Sequence, residues 1–210
     1  MKGKGLKIKV CGMRDPENIT ELMKLKPDYI GFILFPGSKR FVGEAFQLPG
    51  EFPQGIKKVG VFVNAELPDV IKWRIRLSLD SVQLHGDESP EYCRELKKMG
   101  ISIIKSFNIY EKFDFSMLQE YLLWCDYFLF DTPSEQRGGS GKKFDWSILH
   151  SYPFDTPFIL SGGIGPEDVE AIKNIKGLPV VAVDINSRFE DSPAIKNIEK
   201  LKNFFYELKR

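Results

Sequence analysis

The 210-residue sequence is short of histidine and cysteine: it has two histidines, His85 and His150, and three cysteines, Cys11, Cys93 and Cys125. Neither histidine has a partner at ligand spacing, so no metal site is expected. An odd number of widely spaced cysteines makes neither a disulfide framework nor a zinc pattern, and it suits reduced thiols in a cytoplasmic protein. Charge of one sign is also missing. Thirty Lys and Arg face 29 Asp and Glu, a formal net charge of +1, so no global field draws the chain onto nucleic acid or an anionic membrane. Long apolar runs are absent too. The most apolar stretch, Tyr121 to Phe130, is interrupted by Asp126 and falls well short of the roughly 20 residues of a membrane span. At the basic start, Leu6, Ile8 and Val10 alternate with Lys7 and Lys9, which is the pattern of a strand and not of a signal peptide. The lysines near both ends are interleaved with apolar and acidic residues and read as solvated faces. No Pro, Gly and Ser linker and no internal repeat divides the chain.

Hydrophobic residues make up 42% and charged residues 28% of the sequence, the usage of an ordinary globular protein with a sizeable core. Against a prior of roughly 150 residues per domain, residues 1–210 read as a single domain. Short β-rich runs alternate with segments of helical period, the signature of βα units on a parallel sheet. Eight such runs lie near Leu6–Val10, Tyr29–Leu34, Lys58–Val63, Ser81–Leu84, Ser102–Phe107, Tyr127–Phe130, Phe158–Leu160 and Val180–Val183. Asp15 before Pro16, Ser89 before Pro90 and Gly165 before Pro166 are suitable helix starts. Ile195, Ile198, Leu201, Phe205 and Leu208 mark a final amphipathic helix that covers the last strand. The connection from Phe35 to Pro53, broken by Pro36, Gly37, Gly43, Pro49 and Gly50, reads as a loop with at most an irregular helix. The expected architecture is an α/β fold, a single (β/α)8 TIM barrel. An open doubly wound sheet is the alternative, and the count of eight favours closure.

In a barrel the strands' carboxyl ends converge on one face. In chain order they supply Cys11, Ser38 with Arg40, Asn64, Gln83 with His85, Ser106 with Asn108, Asp131, Ser161 with Gly162 and Gly163, and Asp184 with Asn186 and Ser187. The Cys11 thiol is placed to act as a base or nucleophile, or to pack as a small hydrophobe, as Cys93 and Cys125 do. Asp131 leaves a run of apolar and aromatic residues, where desolvation favours a carboxyl that holds a proton; a helix cap or loop ion pair is the other reading. The Ser161–Pro166 turn, with Gly162 and Gly163 after the seventh run, suits a phosphate held by backbone amides. Ser134–Lys143 does not fit a Walker loop, because Gln136 stands where the first Gly belongs and Lys143 where Ser or Thr belongs. It reads as a mobile lid or a solvated loop.

One set of segments runs in order across nearly the whole chain. It comprises Lys9-Val10-Cys11-Gly12 followed by Asn18, Gly31-Phe32 through Pro36-Gly37-Ser38-Lys39-Arg40, Gly60-Val61-Phe62-Val63-Asn64, and Val82-Gln83-Leu84-His85-Gly86. It continues with Phe130-Asp131-Thr132, Gly138-Gly139-Ser140-Gly141-Lys142, Phe144-Asp145-Trp146, Leu160-Ser161-Gly162-Gly163-Ile164 and Val183-Asp184-Ile185-Asn186-Ser187. Together these segments resemble the phosphoribosylanthranilate isomerases of tryptophan biosynthesis. The resemblance implies an Amadori rearrangement of N-(5-phosphoribosyl)anthranilate, without redox change or cofactor, with Asp131 as general acid and Cys11 as general base. It implies that Arg40 takes the anthranilate carboxylate, that Gln83, His85 and Asp184 bind substrate, and that Gly162, Gly163, Asn186 and Ser187 hold the phosphate. The partner is a small phosphorylated molecule, not nucleic acid or a membrane, and the chain is a monomer or homodimer. A dual-specificity isomerase that also takes the histidine-pathway aminoaldose is one alternative, and a non-catalytic sugar-phosphate binder is another. The binder is disfavoured by the presence of both Cys11 and Asp131, since binding needs neither an acid nor a base. The chain departs from the family pattern near its end. Arg188 stands where glycine is usual, with a strained backbone as the expected consequence, and Ala194 and Asn197 replace the Gly and Asp of a Pro-Gly-x-Lys-Asp ending.

Overall fold

Strand alternation sorts the apolar residues into two separate cores. The computed structural model describes residues 5–133 and 143–210. In it eight parallel strands close into a barrel in chain order: β1 (Lys7–Cys11), β2 (Tyr29–Ile33), β3 (Lys57–Phe62), β4 (Ser81–Leu84), β5 (Ser102–Asn108), β6 (Tyr127–Asp131), β7 (Phe158–Leu160) and β8 (Val180–Ile185). Successive side chains point to opposite faces of a strand. One set, Tyr29, Val59, Ile104, Leu129, Ile159 and Ala182, forms a small cluster that fills the barrel interior. The other set, including Ile8, Val10, Ile30, Phe32, Phe62, Val82, Phe128 and Phe130, joins the larger core beneath the helices. Each fully buried side chain of this kind contributes about 1.5–3 kcal/mol.

The helices are α1 (Pro16–Lys24), α2 (Leu67–Leu77), α3 (Pro90–Lys98), α4 (Val169–Lys173) and α5 (Ile198–Lys209). The expected starts are present. Asp15 accepts from the Asn18 amide and Ser89 from the Tyr92 amide, while Gly165 opens the 3-10 turn Pro166–Asp168, whose Asp168 carboxylate accepts from the Gly165 amide at 2.7 Å. The β2–β3 connection is irregular, as its prolines and glycines dictate. Among the described residues, the β5–β6 and β6–β7 connections also lack an α-helix and hold the 3-10 turns Phe115–Tyr121 and Trp146–Ser151 instead. An aromatic cluster covers the barrel there: Phe130 lies 5.8 Å from Phe115, 5.3 Å from Tyr152 and 4.8 Å from Phe158, centroid to centroid. Large rings bury much surface per residue and so replace a helix face on a lean chain.

The chain's end differs from the sequence expectation. Ile195 belongs not to the last helix but to a small hairpin, β9 (Glu190–Ser192) with β10 (Ile195–Lys196), ahead of α5. Helix α5 buries Leu201, Phe204 and Phe205, and Phe204 meets Phe189 at 5.0 Å. Asn197 caps α5 by accepting from the Lys200 amide, a role asparagine fills as well as aspartate. Arg188 is not among the residues with positive φ, so the expected strain is absent there. Ala194, fully buried, carries it instead, with φ +71°. An L-residue in this region is destabilised by about 1–2 kcal/mol. Removing a buried methyl sacrifices about 0.8 kcal/mol, and a glycine's extra unfolded freedom takes about 0.5–1 kcal/mol more. Ala194→Gly is therefore expected to leave stability within about 0.8 kcal/mol of wild type by urea unfolding; a loss beyond about 1 kcal/mol would show that the backbone strain is not relieved.

Candidate active site

The carboxyl ends of the strands surround one open cavity. It is lined by all ten residues assigned from sequence: Cys11, Arg40, Gln83, His85, Asp131, Gly162, Gly163, Asp184, Asn186 and Ser187. Asn64 and Asn108 are not in its lining. Asn64 joins Glu88 and Asp87 in the loop beside His85.

Cys11 ends β1 and is only 4% exposed. Gly31 makes room for it, since a Cβ there would stand 2.8 Å from the Cys11 sulfur. Two residues earlier, Lys9 lies on the same face of the strand, fully buried, with its Nζ 2.8 Å from Asp184 Oδ1. Burial opposes the Lys9 ammonium, yet Asp184 and Cys11 hold its pKa above the ordinary 10.5. Burial pushes the Asp184 carboxyl up, opposed by Lys9. Burial likewise pushes the Cys11 thiol above its usual 9.0, while Lys9 and Lys196 pull it down. The result is a thiol that ionises reluctantly and is a strong base once ionised.

Asp131 ends β6 with its side chain 16% exposed. Its Oδ1 accepts from the Thr132 amide at 2.8 Å, and its Oδ2 faces His85 Nε2 at 3.3 Å. Gln83 Nε2 lies 2.9 Å from His85 Nδ1, on the ring edge away from Asp131. Gln83 Nε2 also donates to Ser106, and its Oε1 is buried without a partner among the described residues. The His85 loop is held from behind by a buried ion pair, Lys105 Nζ to Glu88 Oε2 at 3.2 Å, with Glu88 accepting from the Asn64 and Gly86 amides.

Arg40 comes from the β2–β3 loop and is already engaged: Nε and Nη2 bond Glu190 at 2.8 and 2.6 Å. Glu190 is also bonded by Lys196 Nζ at 2.6 Å. Burial would raise the Glu190 carboxyl, but these two cations hold it below 4.5. On the far side, Gly162 has φ +92° and presses against the exit of β6, where a Cβ would come 2.7 Å from the Thr132 amide nitrogen. The amides of Gly163, Ile164 and Ser187 donate to no group among the described residues. Arg188 turns away from the cavity, half exposed, and pairs with Glu167 at 2.7 Å. Of the segment read as a lid, 134–142 lies outside the described residues, and Lys143 bonds Asp168.

Sequence reasoning missed Lys9, Glu190 and Lys196. Lys9 and Lys196 are buried, which corrects the reading of the terminal lysines as solvated: each has an acidic partner inside the fold. For Lys9 a signal existed, because it shares the alternation parity of Cys11. Glu190 and Lys196 meet only through the hairpin, which has no strong local pattern.

Residues 8–207 match the family described as N-(5'-phosphoribosyl)anthranilate (PRA) isomerase. The chain belongs to the phosphoribosylanthranilate isomerase family. A curated isomerase of that name from Parabacteroides distasonis is 50% identical over 204 residues, 96% of this chain and 92% of the relative. The solved phosphoribosylanthranilate isomerase of Thermotoga maritima is similar with a TM-score of 0.84 at 32% identity, over 97% of this chain and 98% of that one. A second solved isomerase, in complex with reduced 1-(o-carboxyphenylamino)-1-deoxyribulose 5-phosphate, has a TM-score of 0.82 at 29% identity, over 97% and 98% of the two chains. In this chain Arg188 pairs with Glu167, and Ala194 takes a left-handed backbone conformation.

The thiol environment is directly measurable. The ultraviolet thiolate absorbance lost in Cys11→Ser should appear in wild type only above the usual thiol range, and Lys9→Met should move it higher still, since the nearest cation is gone. Complete ionisation of Cys11 at neutral pH would contradict the burial argument.

Proposed function

We propose that this isomerase converts N-(5-phosphoribosyl)anthranilate into 1-(2-carboxyphenylamino)-1-deoxyribulose 5-phosphate with Asp131 as general acid and Cys11 as general base. The observation that carries the reading is the opening of both groups, from the ends of β6 and β1, into one cavity. Asp131 gives its proton to the ribose ring oxygen as the C1–O bond breaks, leaving a Schiff base. The Cys11 thiolate then takes the C2 proton, and the enolamine tautomerises to the ketone. The steps move protons within one molecule, so they call for no cofactor. Lys9 and Lys196 favour the thiolate, and His85 holds the Asp131 carboxyl toward the cavity.

The remaining assignments follow the shape of the site. The free Nη1 edge of Arg40 takes the anthranilate carboxylate, a planar match. Gln83 and Asp184, which line the cavity, take ribose hydroxyls. The amides of Gly163, Ile164 and Ser187, with Gly162 and Asn186 shaping the turns, hold the phosphate. The solved relative bound to a reduced carboxyphenylamino-deoxyribulose phosphate supports a small phosphorylated substrate of this kind. Residues 1–210 act as one catalytic domain in this reading, cytoplasmic, as its three buried free thiols suit.

Mixing the protein with freshly generated substrate and following anthranilate-type fluorescence tests the activity; no loss above the uncatalysed rate refutes it. Cys11→Ser and Asp131→Asn should each lower kcat by about 10²- to 10⁴-fold, with unchanged circular dichroism. Near-wild-type turnover in either variant would remove that residue from its role. Arg188→Gly should leave KM within about threefold, because an exposed ion pair on the outer side of the turn contributes little; a large, salt-sensitive rise in KM would place its guanidinium on the phosphate instead.

A further inference from the structure

The guanidinium assigned to the substrate carboxylate is half occupied before substrate arrives. Glu190 takes Nε and Nη2 of Arg40 in a bidentate pair, and Nη1 has no partner among the described residues. A carboxylate approaching that edge would meet an ion pair with no net charge, with a second carboxylate behind it. The structure supplies a third member. Lys196 reaches the same Glu190 oxygen at 2.6 Å and Asn186 Oδ1 at 2.9 Å, from a side chain with no exposure. Its backbone is fixed too: Asn18 accepts from the Lys196 amide at 2.8 Å and donates to its carbonyl at 2.9 Å. Gly12 packs against the arrangement, since a Cβ there would stand 2.8 Å from Arg40 Cδ and 2.9 Å from Asn186 Oδ1.

We propose that Lys196 is a specificity-determining positioning residue: by balancing Glu190, it lets that carboxylate orient Arg40 without cancelling the charge Arg40 offers to the aryl carboxylate. Glu190 sets the direction of the guanidinium fork. Lys196 keeps the trio of Arg40, Glu190 and Lys196 at one net positive charge, in surroundings where water screens poorly. Lys196 touches no substrate; on the aryl carboxylate it acts through Glu190 and Arg40, beside its bond to Asn186 and its pull on the Cys11 thiol. The inference rests on the assignment of the carboxylate to Arg40, and it adds the origin of the preference for an acidic aryl group.

The test uses two probes of identical shape except for one group: reduced 1-(2-carboxyphenylamino)-1-deoxyribulose 5-phosphate, and the same compound made from aniline. The ratio of their dissociation constants, by calorimetry, reads the carboxylate preference. In Lys196→Met that preference should fall about tenfold or more, while the aniline probe binds within about twofold of wild type. The double variant Lys196→Met with Glu190→Gln restores the net charge and should recover most of the preference. Glu190→Gln alone, which leaves both cations, should keep a preference at least equal to wild type, and it tests the charge count if Lys196→Met does not fold. Equal weakening of both probes in Lys196→Met would make the lysine purely structural and overturn the proposal, as would a lost preference in Glu190→Gln. Arg40→Met separates the two levels. A wild-type preference there would refute the carboxylate assignment itself, whereas a lost preference there with an intact one in Lys196→Met would refute only the role of Lys196.

Discussion

Barrel closure sets Lys9 of β1 beside Asp184 of β8, and the chemistry at the mouth depends on that register. Once the first strand pairs with the last, the inward positions of β1 and β8 share one interior, and the buried Lys9 ammonium meets the Asp184 carboxylate there. An unpaired ammonium in that position would be strongly unfavourable, so the two charges lock the seam in a single register. A slip of β1 by one residue would turn Lys9 and Cys11 outward into the helix layer, away from Asp184. The thiol sits directly above this pair, and its basicity is set by a balance of burial, which disfavours the anion, against the Lys9 and Lys196 charges, which favour it.

The same economy appears elsewhere in the site. The groups that face the cavity are oriented by others that do not: Gln83 orients His85, Glu88 with Lys105 holds the loop that carries it, and Glu190 orients Arg40. Glu88 and Glu190 are each met by a cation, and Glu88 by backbone amides as well, as buried charges require, while Gln83 spends its amide nitrogen on His85 and Ser106. Rigid support of this kind keeps reacting groups in place without spending substrate binding energy on ordering them. The weaker contacts are left to the rim, where the exposed Arg188–Glu167 pair joins the turn after β8 to the turn after β7.

Much of this was legible in the chain. Eight β-rich runs located eight strands with ends displaced by two residues at most, as β8 shows by reaching Ile185 rather than Val183. The Asp15, Ser89 and Gly165 starts were legible because a cap is a local event between neighbours. The 3-10 turns at Phe115–Tyr121 and Trp146–Ser151 were not, because what replaces a helix there is ring packing among Phe115, Phe130, Tyr152 and Phe158, residues from three separate segments. Nor was the strain at Ala194 legible; the backbone angle belongs to a hairpin whose strands span only three and two residues.

The sequence by itself determined the strands, their alternation and the polar groups at their ends, because these depend on residue type and on spacing along one strand. That placed Cys11, Arg40 and Asp131 among the polar groups at one end with the glycine turn, and the family resemblance singled them out. Only the tertiary structure decided what each of them touches. Alternation puts Lys9 on the face of Cys11, but nothing names its partner until β8 brings Asp184 to it across 175 positions. Arg40 and Glu190, 150 positions apart, meet for the same reason. Electrostatic partners are chosen by distance in space within a medium that screens poorly, and the chain's linear order carries no record of that distance.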